Sequence, residues 1–538
     1  MKSADTPKLK HLRAIAVTFV ALPAAIDAQS SERRRSEMPS AVVASVQIER
    51  ENVFDRSDHS SWFARVANGL HMMTRERVVS REVLIEKGKP FDSASAAETA
   101  RNLRRLGIFR DVTVDTVATD SGLMARVITR DSWTTQLYTS VKSGGNQMAW
   151  GIGVVERNFL GAQINATARY TSDPDRSTTQ IGVSAPRVWR NRLGLTASYQ
   201  HLSDGDRSRF TAAAPFTSLS TRESFALDAQ YEDAGVRRFV DGLPAARNML
   251  RHQLAQATTT TAVAAHASPA GFVRLGMALR LRREDFDSAS LSDANRSVFG
   301  DAELSVEASR ANFAVARGFR NLTGPEDIDL SATVRVGMWV APSAWGYDRG
   351  GLGPSLALHG GKLFRNGFAM ADVRVSSLIT GTRLDSGTVT ATTVMMLQPA
   401  ARHSMVFSAS GGLEKSARPG DEFDLGLTFG PRGFPSHAFT GNHAFFTMAE
   451  YRWVAVPEMF GLIAGALATF VDYGGAWYSG SPIRGGADAG VGLRVGSTRS
   501  SSGRGATRID LARRFANDMF PAEWVVAVGT GFPFDRRR

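Results

Sequence analysis

From about Trp133 onward the chain alternates with period two, and this pattern constrains its fold more than any other feature. Ile164, Ala166, Ala168 and Tyr170 stand on one parity against Asn165, Thr167 and Arg169, and Leu193, Leu195, Ala197 and Tyr199 against Thr196, Ser198 and Gln200. Phe225, Leu227, Ala229 and Tyr231 oppose Asp228, Gln230 and Glu232, while Val273, Leu275, Met277, Leu279 and Leu281 oppose Arg274, Arg280 and Arg282. Leu330, Ala332, Val334, Val336 and Met338 alternate with Ser331, Thr333 and Arg335, and Phe423, Leu425, Leu427 and Phe429 with Asp424 and Thr428. Successive side chains of a strand point to opposite faces, so these segments read as strands with one apolar and one polar face. A soluble sandwich would bury its apolar faces between two sheets, but ~400 residues of alternation without domain breaks exceed a usual β-domain. An apolar outside and an inside of arginines, carboxylates and amides suit a transmembrane antiparallel barrel with a wet lumen. At about 25 residues per strand and connection, residues 132–538 predict about sixteen strands.

Composition agrees with that class. Hydrophobic residues make up 43% of the 538, and beyond the N-terminus no apolar run approaches the ~18 residues of a membrane helix. Cysteine is absent, which excludes disulfides, thiolate zinc sites and cysteine nucleophiles together. The net charge of +12 raises nucleic acid as a partner. The arginines, however, are spread through the alternating segments and form no tract that would track a phosphate backbone, so no nucleic-acid partner is expected.

Residues 1–28 read as a secretory signal. Lys2, Lys8, Lys10 and Arg13 precede the apolar run Ala14 to Leu22, and Ala24, Ala25 and Ala28 offer cleavage points. Residues 29–42 have linker composition. Residues 43–131 then change character, to a strand, two helices and two strands. Val46 to Glu49 alternates. Thr74 is placed to cap a first helix carrying Val79 and Val83, and Asp92 a second with the stripe Ala96, Ala100, Leu103 and Leu106 ended by Gly107. Val112, Val114, Met124, Val127 and Ile128 flank a turn at Asp120-Ser121-Gly122.

One loop stands apart from simple hairpin turns. Gly430-Pro431-Arg432-Gly433-Phe434 sets an arginine among turn formers, shortly before the strand Met448-Ala449-Glu450-Tyr451-Arg452-Trp453. This segment resembles the Arg-Gly-Phe motif on the lumen loop of BamA/TamA-type outer-membrane assembly barrels, the bacterial surface antigen type. The segment Arg101 to Val112 resembles a POTRA domain of the same proteins. Asn158-Phe159-Leu160-Gly161 is similar to their turn between the first two barrel strands, Phe470-Val471-Asp472-Tyr473-Gly474 to a Phe-x-Asp-x-Gly motif, and Arg508-Ile509-Asp510 to an Arg-x-Asp signature. The resemblance implies a sixteen-stranded barrel behind one POTRA-like periplasmic domain. It also implies a lumen loop of Pro431, Arg432, Gly433 and Phe434 anchored by Asp472 and Gly474, with Asn158, Phe159, Leu160, Gly161, Glu450, Arg508 and Asp510 as barrel signatures. Arg432 would pair with Asp472, so that removing both would cost little more than removing one, since both changes remove one shared interaction. Two departures stand out: Pro431 replaces an aliphatic residue, and Asp535-Arg536-Arg537-Arg538 follow Phe532 and Phe534 at the end of the last strand.

Enzyme signatures are missing. The sequence has no pair of histidines four apart around a glutamate and no Gly-x-Ser-x-Gly, and Gly360-Gly361-Lys362 is followed by Leu363 where a phosphate loop needs a hydroxyl. His437 and His443 read as polar turn residues. The expectation is a non-enzymatic outer-membrane protein without metal or cofactor. Its partners are outer-membrane lipid, unfolded outer-membrane or secreted client polypeptides, and periplasmic accessory proteins. Its implied role is polypeptide insertion or translocation; the alternative is a passive channel or structural barrel on the same scaffold.

Overall fold

Twenty antiparallel strands between Thr135 and Thr530 close into a barrel in the computed structural model. The structure describes residues 42–54, 65, 68–69, 71–120, 122–144, 147–189, 193–240, 243–287, 297–415, 420–427, 429–460, 462–498 and 506–530. The segments expected to be a signal and most of a linker, residues 1–41, and the residues after Thr530, among them Phe532, Phe534 and Asp535 to Arg538, lie outside them. Each wall strand pairs with the next wall strand in sequence, and Glu523–Thr530 returns to Thr135–Gly144. The expected sixteen strands are corrected to twenty. Connections are tighter than a 25-residue repeat allows: two residues join Leu193–Leu202 to Gly205–Ala214, and two join Leu243–Ser268 to Gly271–Asp287. At Gly205 and Gly271 the backbone takes φ of +152°, and a Cβ would meet the facing carbonyl at 1.8 and 2.1 Å, so these turns require glycine.

The alternation resolves as an outer and an inner wall. Leu275, Met277, Leu279 and Leu281 are exposed on the outside, whereas Arg274 is buried on the other parity. Among the described residues no helix is long and apolar enough to cross a membrane. The crossing elements are strands, whose backbone groups are satisfied by a closed ladder.

Among the described residues, two connections turn into the lumen. Strands alternate in direction, so connections fall alternately on two rims. On the rim next to residues 43–131, the chain between Ser297–Arg310 and Ala332–Ala341 forms its own hairpin, Phe313–Arg317 with Pro325–Asp329. On the opposite rim, the chain between His403–Lys415 and His443–Met459 contains the short pair Phe423–Leu425 and Phe439–Gly441. Phe319 and Leu322 from the first connection share one buried cluster with Phe423, Leu425, Phe434 and Phe439 from the second. The alternation at Phe423 to Phe429 was expected to be a wall strand; it is part of this plug, and Leu330 likewise belongs to the inward connection. Period two marks a strand with two unlike faces, but it cannot say whether the apolar face meets lipid or a packed lumen.

Residues 43–131 build a three-stranded sheet. Val43–Glu51 runs parallel to Gly122–Asp131, which pairs antiparallel with Phe109–Thr119. Asp92 accepts from the backbone N–H groups of Ala94 and Ser95, starting the helix Ser93–Arg105, and Gly107 follows with φ of +65°. Val78, Val79, Leu103, Ile108, Phe109 and Val127 pack between helices and sheet. The first helix is only Glu76–Ser80, and Thr74 does not cap it. The Thr74 hydroxyl donates instead to Asp131, whose carboxylate also accepts the Thr74 N–H.

Candidate functional site

The inward loop from the far rim delivers Arg432 to a set of charges on the wall. Its guanidinium is almost fully buried, with Nε 2.9 Å from Asp472, Nη2 3.0 Å from Glu450 and Nη1 3.4 Å from Asp510. The planar group lies over the Phe470 ring at 3.7 Å. Gly433 follows in close contact with the wall: its N–H donates to Asp488 at 2.8 Å and its carbonyl accepts from Arg514 Nη1 at 3.1 Å. A Cβ on Gly433 would stand 3.1 Å from the Cβ atoms of both Asp488 and Arg514, so a larger residue would lift the loop off. Phe434 is completely buried, packed edge-on against Phe520 and beside Phe439, in space left open by Gly486.

The wall needs the loop for an electrostatic reason. Asp472 stands directly opposite Asp488 on the neighbouring strand, and Arg494 opposite Arg508. Like charges directly opposite are destabilising on their own. Arg494 relieves part of this by bridging Glu450 at 2.9 Å and Asp510 at 2.6 Å, and Arg452 sits 2.7 Å from Glu450. The buried carboxylates Glu450, Asp472, Asp488 and Asp510 therefore face the wall arginines Arg452, Arg494 and Arg508, and Arg432 supplies the fourth cation. Arg514 is separately engaged with Glu523 at 2.6 Å. Removing one member of such a set leaves a buried charge uncompensated, at a cost of roughly 3–5 kcal/mol.

The structure brings Arg432, Glu450, Asp472, Arg508 and Asp510 together, and separates other residues the sequence singled out. Gly474 shares a strand with Asp472 but faces Phe446 on the adjacent strand. Pro431 is buried, and its carbonyl lies 3.4 Å from the Phe434 nitrogen as the loop turns. Asn158, Phe159, Leu160 and Gly161 lie on the opposite rim, beneath the barrel. Asn158 is buried, donates through Nδ2 to Thr74 Oγ1 at 2.8 Å and accepts from the Gln163 N–H. The Gly161 carbonyl accepts from the Arg75 N–H at 2.9 Å, and a Cβ on Gly161 would meet the Met73 carbonyl at 2.5 Å. Phe159 and Leu160 are exposed. That turn joins the N-terminal unit to the barrel.

Sequence reasoning missed Arg452, Asp488, Arg494 and Arg514. The signal was parity: Arg452 shares the inward face with Glu450, Arg494 with Asp488, and Arg514 with Asp510. Each was one more charged residue in alternating strands until the register placed it.

The same loop touches both sides of the barrel closure. Among the described residues, Glu523–Thr530 and Thr135–Gly144 pair at Ala527 with Lys142 and at Val528 with Val141, and Glu523–Thr530 pairs with Thr507–Arg514 from Glu523 to Thr530. Lys142 Nζ donates to the Leu427 carbonyl at 2.7 Å, and the Ser436 N–H to Gln147 Oε1 at 2.9 Å. Arg514 holds the loop from the other side of the seam. His437 joins the loop to a distant turn: it stacks on Phe239 and sits 2.7 Å from Asp175 and 2.5 Å from Asp424. Among the described residues no group of three or more histidine or acidic side chains is placed to hold a metal ion.

A closed barrel with an apolar outer wall, a polar inner wall and a loop pinned in its lumen defines a transmembrane β-barrel of the outer-membrane type. No protein-family model matches the chain, and no curated protein matches it. Among solved structures it is similar to BamA from Haemophilus ducreyi lacking POTRA domains 1–3, at 12% identity and a TM-score of 0.38, over 90% of this chain and 84% of that one. It is similar to CdiB from Escherichia coli at 11% identity and a TM-score of 0.46, over 91% and 77% of the two chains. It is also similar to the FrpB iron transporter from Neisseria meningitidis at 8% identity and a TM-score of 0.39, over 79% and 87%.

Proposed function

We propose that this chain is a BamA/TamA-type barrel that inserts or translocates polypeptides at the outer membrane, with residues 43–131 serving as a POTRA-like periplasmic domain. The observation that carries this reading is the seam: among the described residues the last and first strands of the wall share two register pairs, Ala527 with Lys142 and Val528 with Val141, where Glu523–Thr530 and Thr507–Arg514 share eight. Unpaired N–H and C=O groups along a strand edge template another chain's strand, so a seam that parts offers a client a place to pair. The loop that carries Arg432 touches strands on both sides of this seam and so sets how readily it parts. No bond chemistry, metal or cofactor is part of this reading; the partners are membrane lipid, unfolded client chains and periplasmic accessory proteins. The test is reconstitution of the full chain into liposomes with an unfolded barrel client. Faster integration of the client than in empty liposomes supports the reading, and an unchanged rate refutes it.

A second reading rests on the inner wall away from the loop, where Arg207, Arg209, Asp228 and Arg280 leave polar side chains partly exposed. A passive channel would use this wet face. Solute conductance in planar bilayers without any effect on client integration would favour it.

A further inference from the structure

The inward hairpin Phe313–Arg317 with Pro325–Asp329 is bonded to neither neighbouring wall strand as part of the barrel ladder; it is a separate two-stranded sheet. Its two ends are held by different bodies. At the rim, Asp327 receives both Nε and Nη2 of Arg104, at 2.8 and 2.9 Å, and Arg101 lies over the Phe313 ring at 4.6 Å. Both arginines belong to the helix Ser93–Arg105 of the N-terminal unit. Deep in the lumen, the tip carbonyl of Phe319 accepts from Arg452 Nη1 at 2.6 Å, and that of Gly318 lies 3.4 Å from the same nitrogen. Arg452 is in turn bound to Glu450, the carboxylate that holds Arg432.

Between those ends the hairpin is stiff. The Glu326 carboxylate accepts the backbone N–H groups of Arg320 and Asn321 at 2.8–3.1 Å, which fixes the turn, and the Leu330 N–H closes the base on Asn312. Phe319 is buried edge-on against Phe368, and Leu322 and Ile328 are buried with it. The finger stands outside the ladder, gripped by the N-terminal unit at one end and by a buried arginine at the other.

We propose that this hairpin is a relay: movement of the N-terminal unit withdraws it, takes the Phe319 carbonyl from Arg452, and loosens the lumen loop at Arg432. The coupling follows from shared partners. Once the tip leaves, Arg452 loses the Phe319 carbonyl that orients it, and Glu450, which it shares with Arg432 and Arg494, is held in a different arrangement.

The absence of native cysteine makes the test direct. Single cysteines are placed at Leu322 in the hairpin and at Ala438 in the lumen loop, both buried, in the full chain in liposomes, and their rates of reaction with a water-soluble maleimide are measured. Arg104→Glu breaks the rim contact. The relay predicts that it speeds labelling at both Leu322→Cys and Ala438→Cys by about fivefold, the factor that ~1 kcal/mol represents. It also predicts that the swap Arg104→Asp with Asp327→Arg restores slow labelling at both, which a general loss of folding would not. Faster labelling at Leu322→Cys alone, or at neither position, overturns the proposal. No client is present in this experiment, so its outcome is separate from the test of polypeptide insertion.

Discussion

Arg432 is the residue through which this barrel holds its own loop. The sequence suggested a single partner, Asp472, and that contact is present at 2.9 Å, but Glu450 and Asp510 share the same guanidinium. The expectation for mutants therefore changes. Arg432→Ala removes the cation from three carboxylates and should weaken loop docking by roughly 3–5 kcal/mol, whereas Asp472→Ala should cost less and add little on top of Arg432→Ala. Limited proteolysis of the loop in the purified barrel reads both effects; strictly additive losses would contradict shared pairing. Arg432→Lys should behave more like alanine than like arginine, because a single ammonium cannot serve three carboxylates and lie over Phe470. Glu450, Arg508 and Asp510 were legible because their motifs were, while Asp488 and Arg494 gained meaning only when register set them opposite Arg514 and Arg508.

At the scale of elements, inward connections are what local pattern hides. Phe423 to Phe429 reads as one more wall strand, since a strand packed on a luminal core alternates like one packed on lipid. Thr74 read as a helix cap because its alternative partner, Asp131, lies 57 residues away. Asn158 sits at that junction, so Asn158→Ala should leave Thr74 Oγ1 and the Gln163 N–H short of a partner and destabilise the joint by roughly 1–3 kcal/mol, measured as earlier melting of the N-terminal unit in the full chain. The loop also carries a pH-sensitive clasp. Burial lowers the His437 pKa, but Asp175 and Asp424 outweigh it and raise it to about 9. A histidine whose folded pKa lies above its usual 6.5 contributes stability that is complete below that value and is lost as pH rises through 9. Loop accessibility, read by labelling of an Ala438→Cys variant, should therefore increase between pH 7 and pH 10, and His437→Gln should flatten the dependence; a flat profile in the unchanged clasp would contradict it.

At the scale of the whole molecule, the alternation made the barrel legible and left its size obscure. Strand number depends on how short the turns are, and two-residue connections fit more strands into the same chain than an average repeat allows. The closure between the first and last strands was not legible at all, because they meet only after every intervening register is set. That seam is the centre of the functional account. Val141 and Val528 are register partners across it, so cysteines at both should form a disulfide with no competing native thiol. In liposomes the oxidised Val141→Cys with Val528→Cys protein should fail to speed integration of an unfolded barrel client, and a reductant should restore the rate; equal activity in the locked and reduced states would contradict a seam that opens to the client.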